Sequence, residues 1–243
     1  MKKKIALVTL ATGYGGPSAV KALLAGGWKV FCNDRGFSDT KQCKAFAKAN
    51  PKVKILDALE PEKAVGAVVK QAGRIDLLFS NNFVPLYPSA VETAALDVYR
   101  DYLEGLTIEP FRAARAAVPH MKKQKSGKIV FMTSAGPMKG LPNLSTYCAA
   151  RGGATALMKA LAQEVGRFNI QVNAIGPNYA ENPTYFPKHI LGKPFMRKLI
   201  KEECPIERYA TPEEMVALIA FLAKEESNFI TSQLIPFCGG WAS

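Results

Sequence analysis

The chain has 243 residues, 48% of them hydrophobic, and carries 32 lysines and arginines against 20 aspartates and glutamates. This length suits one large α/β domain, and no apolar run approaches the ~18 residues of a membrane helix. The basic residues are dispersed and accompany no recognisable nucleic-acid motif, so the formal charge of +12 predicts a solvated surface that attracts small anions. We therefore expect neither nucleic acid nor a membrane as a partner. Without an export signal, the cytoplasm is the expected location.

Cysteine and histidine are too scattered to suggest a metal site. The five cysteines form no C-x-x-C motif, and there are only two histidines. Zinc sites in proteins usually show such clustered spacing. The sequence therefore predicts reduced thiols, most of them buried, and no bound metal.

Short apolar runs, typical of buried parallel strands, alternate with helical patterns along the whole chain. The predicted strands cover residues 5–10, 29–34, 52–56, 76–80, 128–134, 171–176 and 233–237. Thr211 is predicted to cap a helix that runs to about Ala223, with Pro212 at its first position and Glu214 completing a capping box. This alternation predicts an α/β fold: a Rossmann-like, doubly wound parallel sheet of about seven strands with helices on both faces.

The predicted strands and helices form a single Rossmann-like domain over residues 1–243, with one large interruption. Residues 177–208 are rich in proline, asparagine and aromatic side chains. Long irregular segments of this kind within a compact domain usually carry function. We expect a loop-and-helix insertion there that covers the substrate.

The stretch LVTLATGYGGPSAV at residues 7–20 has the strand–turn–helix layout of a dinucleotide site but lacks its glycine spacing. No G-x-G-x-x-G can be read from it, and Tyr14 stands in the middle of the turn. In this fold ligands bind beyond the carboxyl ends of the strands. The segments expected around that crevice are residues 9–16, 80–83, 134–137 and 176–180.

Three side chains that could do chemistry are predicted at this crevice. Ser134 ends the strand KIVFMTS, and Tyr147 and Arg151 stand four residues apart in the helical segment that follows. That spacing places both side chains on one face of a helix. Because arginine is permanently charged, it favours the phenolate form of a neighbouring tyrosine, which can then act as a general base. Each residue taken singly also has a structural explanation, but the combination predicts a catalytic site.

A serine ending such a strand, a tyrosine thirteen residues later and a basic residue four further on resemble the short-chain dehydrogenase/reductase superfamily. The resemblance covers essentially the whole chain. Arg151 stands where that superfamily usually has lysine, and the two side chains are not interchangeable. The superfamily's first turn, T-G-x-x-x-G-x-G, is altered too: Leu10 and Tyr14 stand at its first two glycines, and only Gly16 matches the third.

Further departures lie at the cofactor face. The sequence SNNF at residues 80–83 replaces N-N-A-G, Leu106 replaces a helix asparagine, and Asn178 replaces the glycine after Pro177. This pattern resembles the halohydrin dehalogenases, a branch that works without nicotinamide. The resemblance implies a lyase that converts vicinal halohydrins to epoxides and halide, and reopens epoxides with azide, cyanide or nitrite. It also implies no bound cofactor and a homotetramer.

The resemblance assigns roles residue by residue. Tyr147 would take the proton of the substrate hydroxyl with the help of Arg151, and Ser134 would bind the same oxygen. The implied halide and substrate site consists of Tyr14, Asn82, Pro177, Asn178, Tyr179, Ala180 and Trp241. Asn82 stands where other members usually carry aspartate, and Trp241 can equally belong to the core or to an interface.

Two other functions remain open on the sequence. The first is an NAD(P)-dependent short-chain oxidoreductase with a degenerate glycine turn, in which Arg35, next to Asp34, would contact a 2′-phosphate. The second is a nucleotide-free sensor or binding protein on the same scaffold. The intact combination of serine, tyrosine and arginine argues against a pure sensor.

Overall fold

The computed structural model describes residues 3–242. Seven strands form one parallel sheet in the order β3-β2-β1-β4-β5-β6-β7. The strands are β1 Ile5–Val8, β2 Lys29–Cys32, β3 Lys54–Ile55, β4 Leu77–Asn81, β5 Gly127–Met132, β6 Ile170–Pro177 and β7 Leu234–Phe237. Each lies at a predicted strand, so the predicted fold class is confirmed. Strands β1, β2 and β5 end two residues before their predicted ends, because those residues already belong to loops beyond the sheet.

Helices cover both faces of the sheet. They are α1 Gly16–Ala25, α2 Thr40–Ala49, α3 Pro61–Ala72, α4 Leu96–Leu103, α5 Glu109–Gln124, α6 Gly136–Lys139, α7 Ser145–Val165, α8 Lys188–Leu191, α9 Pro194–Glu203 and α10 Pro212–Ala223. The apolar sides of α3, α5 and α7 pack on one face of the sheet, and those of α1 and α10 pack on the other. Within residues 3–242, no helix combines the length and the hydropathy that crossing a membrane requires.

The strand order places the carboxyl ends of four neighbouring strands around one crevice. The order reverses between β1 and β4, which are adjacent although their connections run in opposite directions across the sheet. At such a reversal the loops that follow the two strands diverge and leave room for a ligand. The segments that leave the strands at this edge are residues 9–15, 82–83, 133–135 and 178–180.

The predicted capping box at the start of α10 is present. Thr211 Oγ1 accepts a hydrogen bond from the Glu214 N–H at 3.4 Å, and Glu214 Oε2 accepts one from the Thr211 N–H at 2.9 Å. Arg208 donates to both Glu214 oxygens at 2.8 Å. These contacts satisfy backbone donors that the first turn of a helix otherwise leaves unpaired.

Replacing Thr211 with alanine should destabilise the protein by about 1 kcal/mol, because the N-terminal cap of α10 is lost. Thr211→Ser keeps the hydroxyl and serves as the matched control. The free energy of unfolding, measured in urea, checks both variants. Equal stabilities for the alanine and serine variants would contradict a role for the cap.

The Glu214 carboxylate should make stability depend on pH in the acid range. The hydrogen bonds from Arg208 and from the Thr211 N–H lower the pKa of Glu214 from 4.5 to about 2. Because the folded pKa lies below the unfolded one, the stabilisation is fully present above about pH 4.5 and disappears as the pH falls toward 2. The stability difference between the wild type and Glu214→Gln should therefore shrink over this range. A difference that stays constant with pH would contradict this linkage.

Candidate active site

Helix α7 presents Tyr147 and Arg151 on the same side, one turn apart. Arg151 Nε donates a hydrogen bond to Tyr147 Oη at 3.2 Å. A guanidinium can only donate, so the phenol oxygen acts as an acceptor in this contact. The phenol is thus held beside the guanidinium, and Tyr147 also lines a cavity.

Arg151 is completely buried, and its hydrogen-bond partners carry no formal charge. Nη1 donates to the carbonyl oxygens of Asn82 at 3.0 Å and Met132 at 2.9 Å, and Nη2 donates to Tyr185 Oη at 3.3 Å. Burial by itself lowers the pKa of Arg151, but interaction with neighbouring phenols, chiefly Tyr147, raises it above the ordinary value. The side chain remains a cation in a low-dielectric interior and will stabilise any anion that forms beside it.

A cavity of about 340 Å³ opens beside Tyr147. Ser134 reaches it just beyond β5, and its Oγ accepts a hydrogen bond from the Gly136 N–H at 3.0 Å, which fixes the hydroxyl at the start of α6. The predicted site residues that line the cavity are Tyr14, Ser134, Tyr147, Pro177, Asn178, Tyr179, Ala180 and Trp241. The rest of the wall is mostly apolar and includes Leu86, Leu141, Leu144, Phe186, Met196 and Leu199.

The loop after β6 contributes two backbone donors to this wall. The Ala210 N–H donates to the Tyr179 carbonyl, and the Glu181 N–H donates to the Ala210 carbonyl. Within residues 3–242, however, the N–H groups of Tyr179 and Ala180 have no acceptor, although both residues are more than nine-tenths buried. Buried N–H groups without a partner are rare and cost about 1–3 kcal/mol each. Adjacent donors of this kind are suited to binding an anion.

Tyr14 forms part of the wall next to Arg151. Its hydroxyl donates to the Thr133 carbonyl at 2.6 Å, and the Arg151 guanidinium carbon lies 5.3 Å from its ring centroid. The ring meets that of Tyr185 edge-on, with 4.9 Å between centroids. Burial raises the pKa of Tyr14 well above its ordinary value. Tyr14 is therefore a neutral phenol at physiological pH and presents an aromatic surface to the cavity.

The structure does not bring Asn82 to the cavity wall, in contrast to the sequence-based expectation. Its carbonyl holds Arg151, while its side chain accepts from Ser80 Oγ at 2.8 Å and donates to Glu109 Oε2 at 3.1 Å. These two polar neighbours direct the amide away from the cavity.

Arg35, the residue considered for a 2′-phosphate, forms an ion pair with the same Glu109 at 2.7 Å.

The structure also adds Tyr185, which the sequence analysis did not single out. Its hydroxyl accepts from Arg151 and from the Val84 N–H at 3.2 Å, and donates to the Val84 carbonyl at 2.8 Å. Burial raises the pKa of Tyr185 to about 12, although the positive charge of Arg151 opposes this rise. Its position within NPTYFP, in the predicted insertion, was the only local signal.

Glu203 is the second addition, and it lies at the other end of the cavity, at the end of α9. Its Oε2 accepts hydrogen bonds from Tyr179 Oη and from Trp241 Nε1, both at 2.7 Å. These partners are 24 and 38 residues away in the chain. A contact between such distant segments has no signature in the local sequence.

Comparison with known proteins assigns the family. Residues 16–242 match the family model described as enoyl-(acyl carrier protein) reductase. The chain is 32% identical to a 3-oxoacyl-(acyl-carrier-protein) reductase of Thermotoga maritima over 79% of this chain and 77% of that protein. It is 27% identical to a 2-dehydro-3-deoxy-D-gluconate 5-dehydrogenase of Formosa agariphila over 99% and 93% of the two chains. The chain belongs to the short-chain dehydrogenase/reductase superfamily.

Solved structures within this superfamily include two close matches. A protein described as a dehalogenation enzyme is 34% identical, with a TM-score of 0.95 and 99% of both chains covered. A halohydrin dehalogenase (HheC), solved with ethyl (2S)-oxiran-2-ylacetate, is also 34% identical with a TM-score of 0.95, covering 99% of this chain and 98% of that one. The two sequence relatives named above are thus a reductase and a dehydrogenase, whereas these two structural neighbours are described as dehalogenation enzymes.

The first turn of this superfamily member does not fit the dinucleotide that the fold commonly binds. A pyrophosphate at this position requires free N–H groups at the helix N-terminus. Here all six consecutive N–H groups from residue 11 to residue 16 already donate within the protein. The acceptors are carbonyl oxygens of Leu10, Gly13 and Asn33 and side-chain oxygens of Asp34, Asn81 and Thr184.

The space above the turn is filled as well. A β-carbon at Gly13 would overlap the ring of Phe83 and would lie 2.9 Å from Thr184 Oγ1, so protein atoms occupy the close approach that a phosphate would need. Beyond β1 and β2, next to Arg35 and Asn33, the remaining cavity measures only about 20 Å³. That volume holds about one water molecule. The residues present therefore do not accommodate a nicotinamide dinucleotide.

NADPH and NADH should consequently fail to bind. Titration of the protein with either nucleotide, followed by nucleotide fluorescence, should give no saturable change up to millimolar concentration. A reductase of the same superfamily provides the positive control. Saturable binding in the micromolar range would contradict this account of the first turn.

Proposed function

We propose that the protein is a halohydrin dehalogenase, a cofactor-independent lyase that converts vicinal halohydrins to epoxides and halide. The observation that carries the proposal is one cavity lined by a phenol that is paired with a buried arginine and by two residues whose N–H groups find no acceptor within residues 3–242. The phenolate form of Tyr147 can accept a proton, and the N–H groups of Tyr179 and Ala180 can receive an anion. Loss of halide from a halohydrin requires both.

In the proposed reaction the substrate hydroxyl binds between Ser134 and Tyr147. Tyr147 takes the hydroxyl proton, and the positive charge of Arg151 stabilises the phenolate that accepts it. Ser134 donates a hydrogen bond to the substrate oxygen as its negative charge develops. Positioned proton transfer of this kind typically contributes about 10²–10⁴-fold to the rate.

The alkoxide then attacks the neighbouring carbon. A carbon–oxygen bond forms, the carbon–halogen bond breaks, and the halide leaves with the bonding electron pair. Holding the alkoxide and the carbon–halogen bond in the reactive conformation favours this intramolecular substitution. The released halide would bind the N–H groups of Tyr179 and Ala180, between Pro177 and the ring of Tyr14. The proton passes from Tyr147 to solvent.

The same geometry serves the reverse direction. An epoxide oxygen placed against Tyr147 and Ser134 would be protonated as it opens, and a small anion in the halide position would attack the carbon. We propose azide, cyanide and nitrite as such nucleophiles. The apolar wall formed by Leu86, Leu144 and Met196 suits substrates with a hydrophobic substituent. The epoxide bound to one dehalogenase neighbour, ethyl (2S)-oxiran-2-ylacetate, supports this substrate class.

The test is release of bromide or chloride from a simple vicinal halohydrin without added nucleotide. The wild type should release halide, and Tyr147→Phe should lower the rate at least about a hundredfold, because the proton acceptor is removed. Tyr99→Phe, a tyrosine change on α4 away from the cavity lining, is the matched control and should leave the rate unchanged. Thermal unfolding of each variant excludes a loss of folded protein.

Two outcomes would overturn the proposal. One is the absence of halide release by the wild type, and the other is unchanged release by Tyr147→Phe. Reduction of carbonyl substrates with NADPH in the same preparation would favour the oxidoreductase that the sequence relatives represent. The occupied hydrogen bonds of the first turn support the dehalogenase over that alternative.

A further inference from the structure

One carboxylate oxygen joins three separate segments at the far end of the cavity. Glu203 Oε2 accepts from Tyr179 Oη, on the loop after β6, and from Trp241 Nε1, in the segment after β7. Glu203 itself is the last residue of α9. The Lys139 ammonium lies 4.7 Å from the centroid of the Trp241 ring. The mechanism proposed above uses none of these contacts.

Tyr179 has a backbone conformation that needs support from its surroundings. Its φ is 49°, in the left-handed region that bulky side chains rarely adopt. A residue held there costs of order 1–3 kcal/mol and persists only where several contacts fix it. For Tyr179 the contacts are the hydrogen bond to Glu203, edge-on packing of its ring with Phe186 and Trp241 at 5.6 and 6.1 Å, and the Ala210 N–H on its carbonyl.

The charges favour a strong hydrogen bond between the two side chains. Hydrogen bonds from Tyr179 and Trp241 lower the pKa of Glu203, so its carboxylate is ionised at neutral pH. Burial and the neighbouring Glu203 raise the pKa of Tyr179, so its phenol keeps the proton that it donates. A hydrogen bond to an ionised acceptor is about twice as strong as a neutral one.

We propose that Glu203 is a positioning residue for the anion site. By holding the phenol of Tyr179, it keeps the backbone at residues 179–180 in the conformation that leaves both N–H groups available to the halide. This inference rests on the proposed function for the identity of the anion. It adds that a side chain on α9, which touches neither halide nor reacting atoms, sets the affinity of the site.

Bromide affinity tests this role without any turnover. Saturable quenching of tryptophan fluorescence by bromide, at constant ionic strength, gives the dissociation constant, and bromide inhibition of halide release gives a second value. Glu203→Ala should weaken bromide binding about tenfold, since one charge-assisted hydrogen bond that fixes the donors is lost. Glu203→Gln, whose amide oxygen can accept the same bonds, should stay within about threefold of the wild type or bind more tightly.

Substitutions at residues near Glu203 test whether the effect is specific to its hydrogen bond with Tyr179. Glu202→Ala, which removes a carboxylate 3.8 Å from Lys198 on the same helix, should leave bromide affinity unchanged. Tyr179→Phe removes only the hydroxyl and should reproduce the loss seen in Glu203→Ala. The double variant should be no weaker than Glu203→Ala, because that single change already removes the hydrogen bond to Tyr179. Halohydrin KM should change less than the bromide constant in all of them.

The outcomes separate this inference from the proposed function. If the wild type shows no saturable bromide binding, the anion site itself is refuted. If the wild type binds bromide and both Glu203→Ala and Tyr179→Phe bind it equally well, Glu203 does not position the site. If Glu203→Ala fails to fold, Tyr179→Phe alone decides, since the loss of one hydroxyl leaves the packing of the ring in place.

Discussion

The site depends on a cation that the fold encloses without a counter-ion among residues 3–242. Arg151 is fully buried on α7, and its partners are two carbonyl oxygens and two phenol oxygens. An unneutralised charge in a low-dielectric interior is costly, and any anion formed beside it offsets that cost. The phenolate of Tyr147 and a substrate alkoxide are such anions. Arg151 thus links the stability of the site to its proposed chemistry.

The loop after β6 connects this cation to the altered first turn. Thr184, in the loop, accepts the N–H of Tyr14 at 2.7 Å, and Tyr185 packs against the Tyr14 ring and reaches Arg151. One of the first-turn donors, the Tyr14 N–H, is thereby used within the protein. The same loop supplies Tyr179 and Ala180 to the cavity. One loop therefore contacts the altered first turn and also lines the cavity in which we propose the anion site.

The local sequence carried enough information for the sheet and for much of the site. The seven apolar runs predicted the strands, and the four-residue spacing of Tyr147 and Arg151 predicted their contact, because helical periodicity is local. Asn82, which is not among the residues that line the cavity, shows the limit of this reasoning. Its place after β4 was predictable, but the direction of its side chain depends on Glu109, 27 residues later. Tyr185 and Glu203 were not predicted for the same reason, because their partners also lie far away in the chain.

The sequence by itself determined the alternation of strands and helices, the capping box of α10 and the loss of the glycine spacing in the first turn, since each depends on residues close together in the chain. Only the tertiary structure decided which donors are left free. Whether a donor finds an acceptor depends on segments that meet through folding, as the Tyr14 N–H meets Thr184 and the Tyr179 hydroxyl meets Glu203. The hydrogen bonds that occupy the first turn follow from such distant contacts, since their acceptors include Asn33, Asn81 and Thr184.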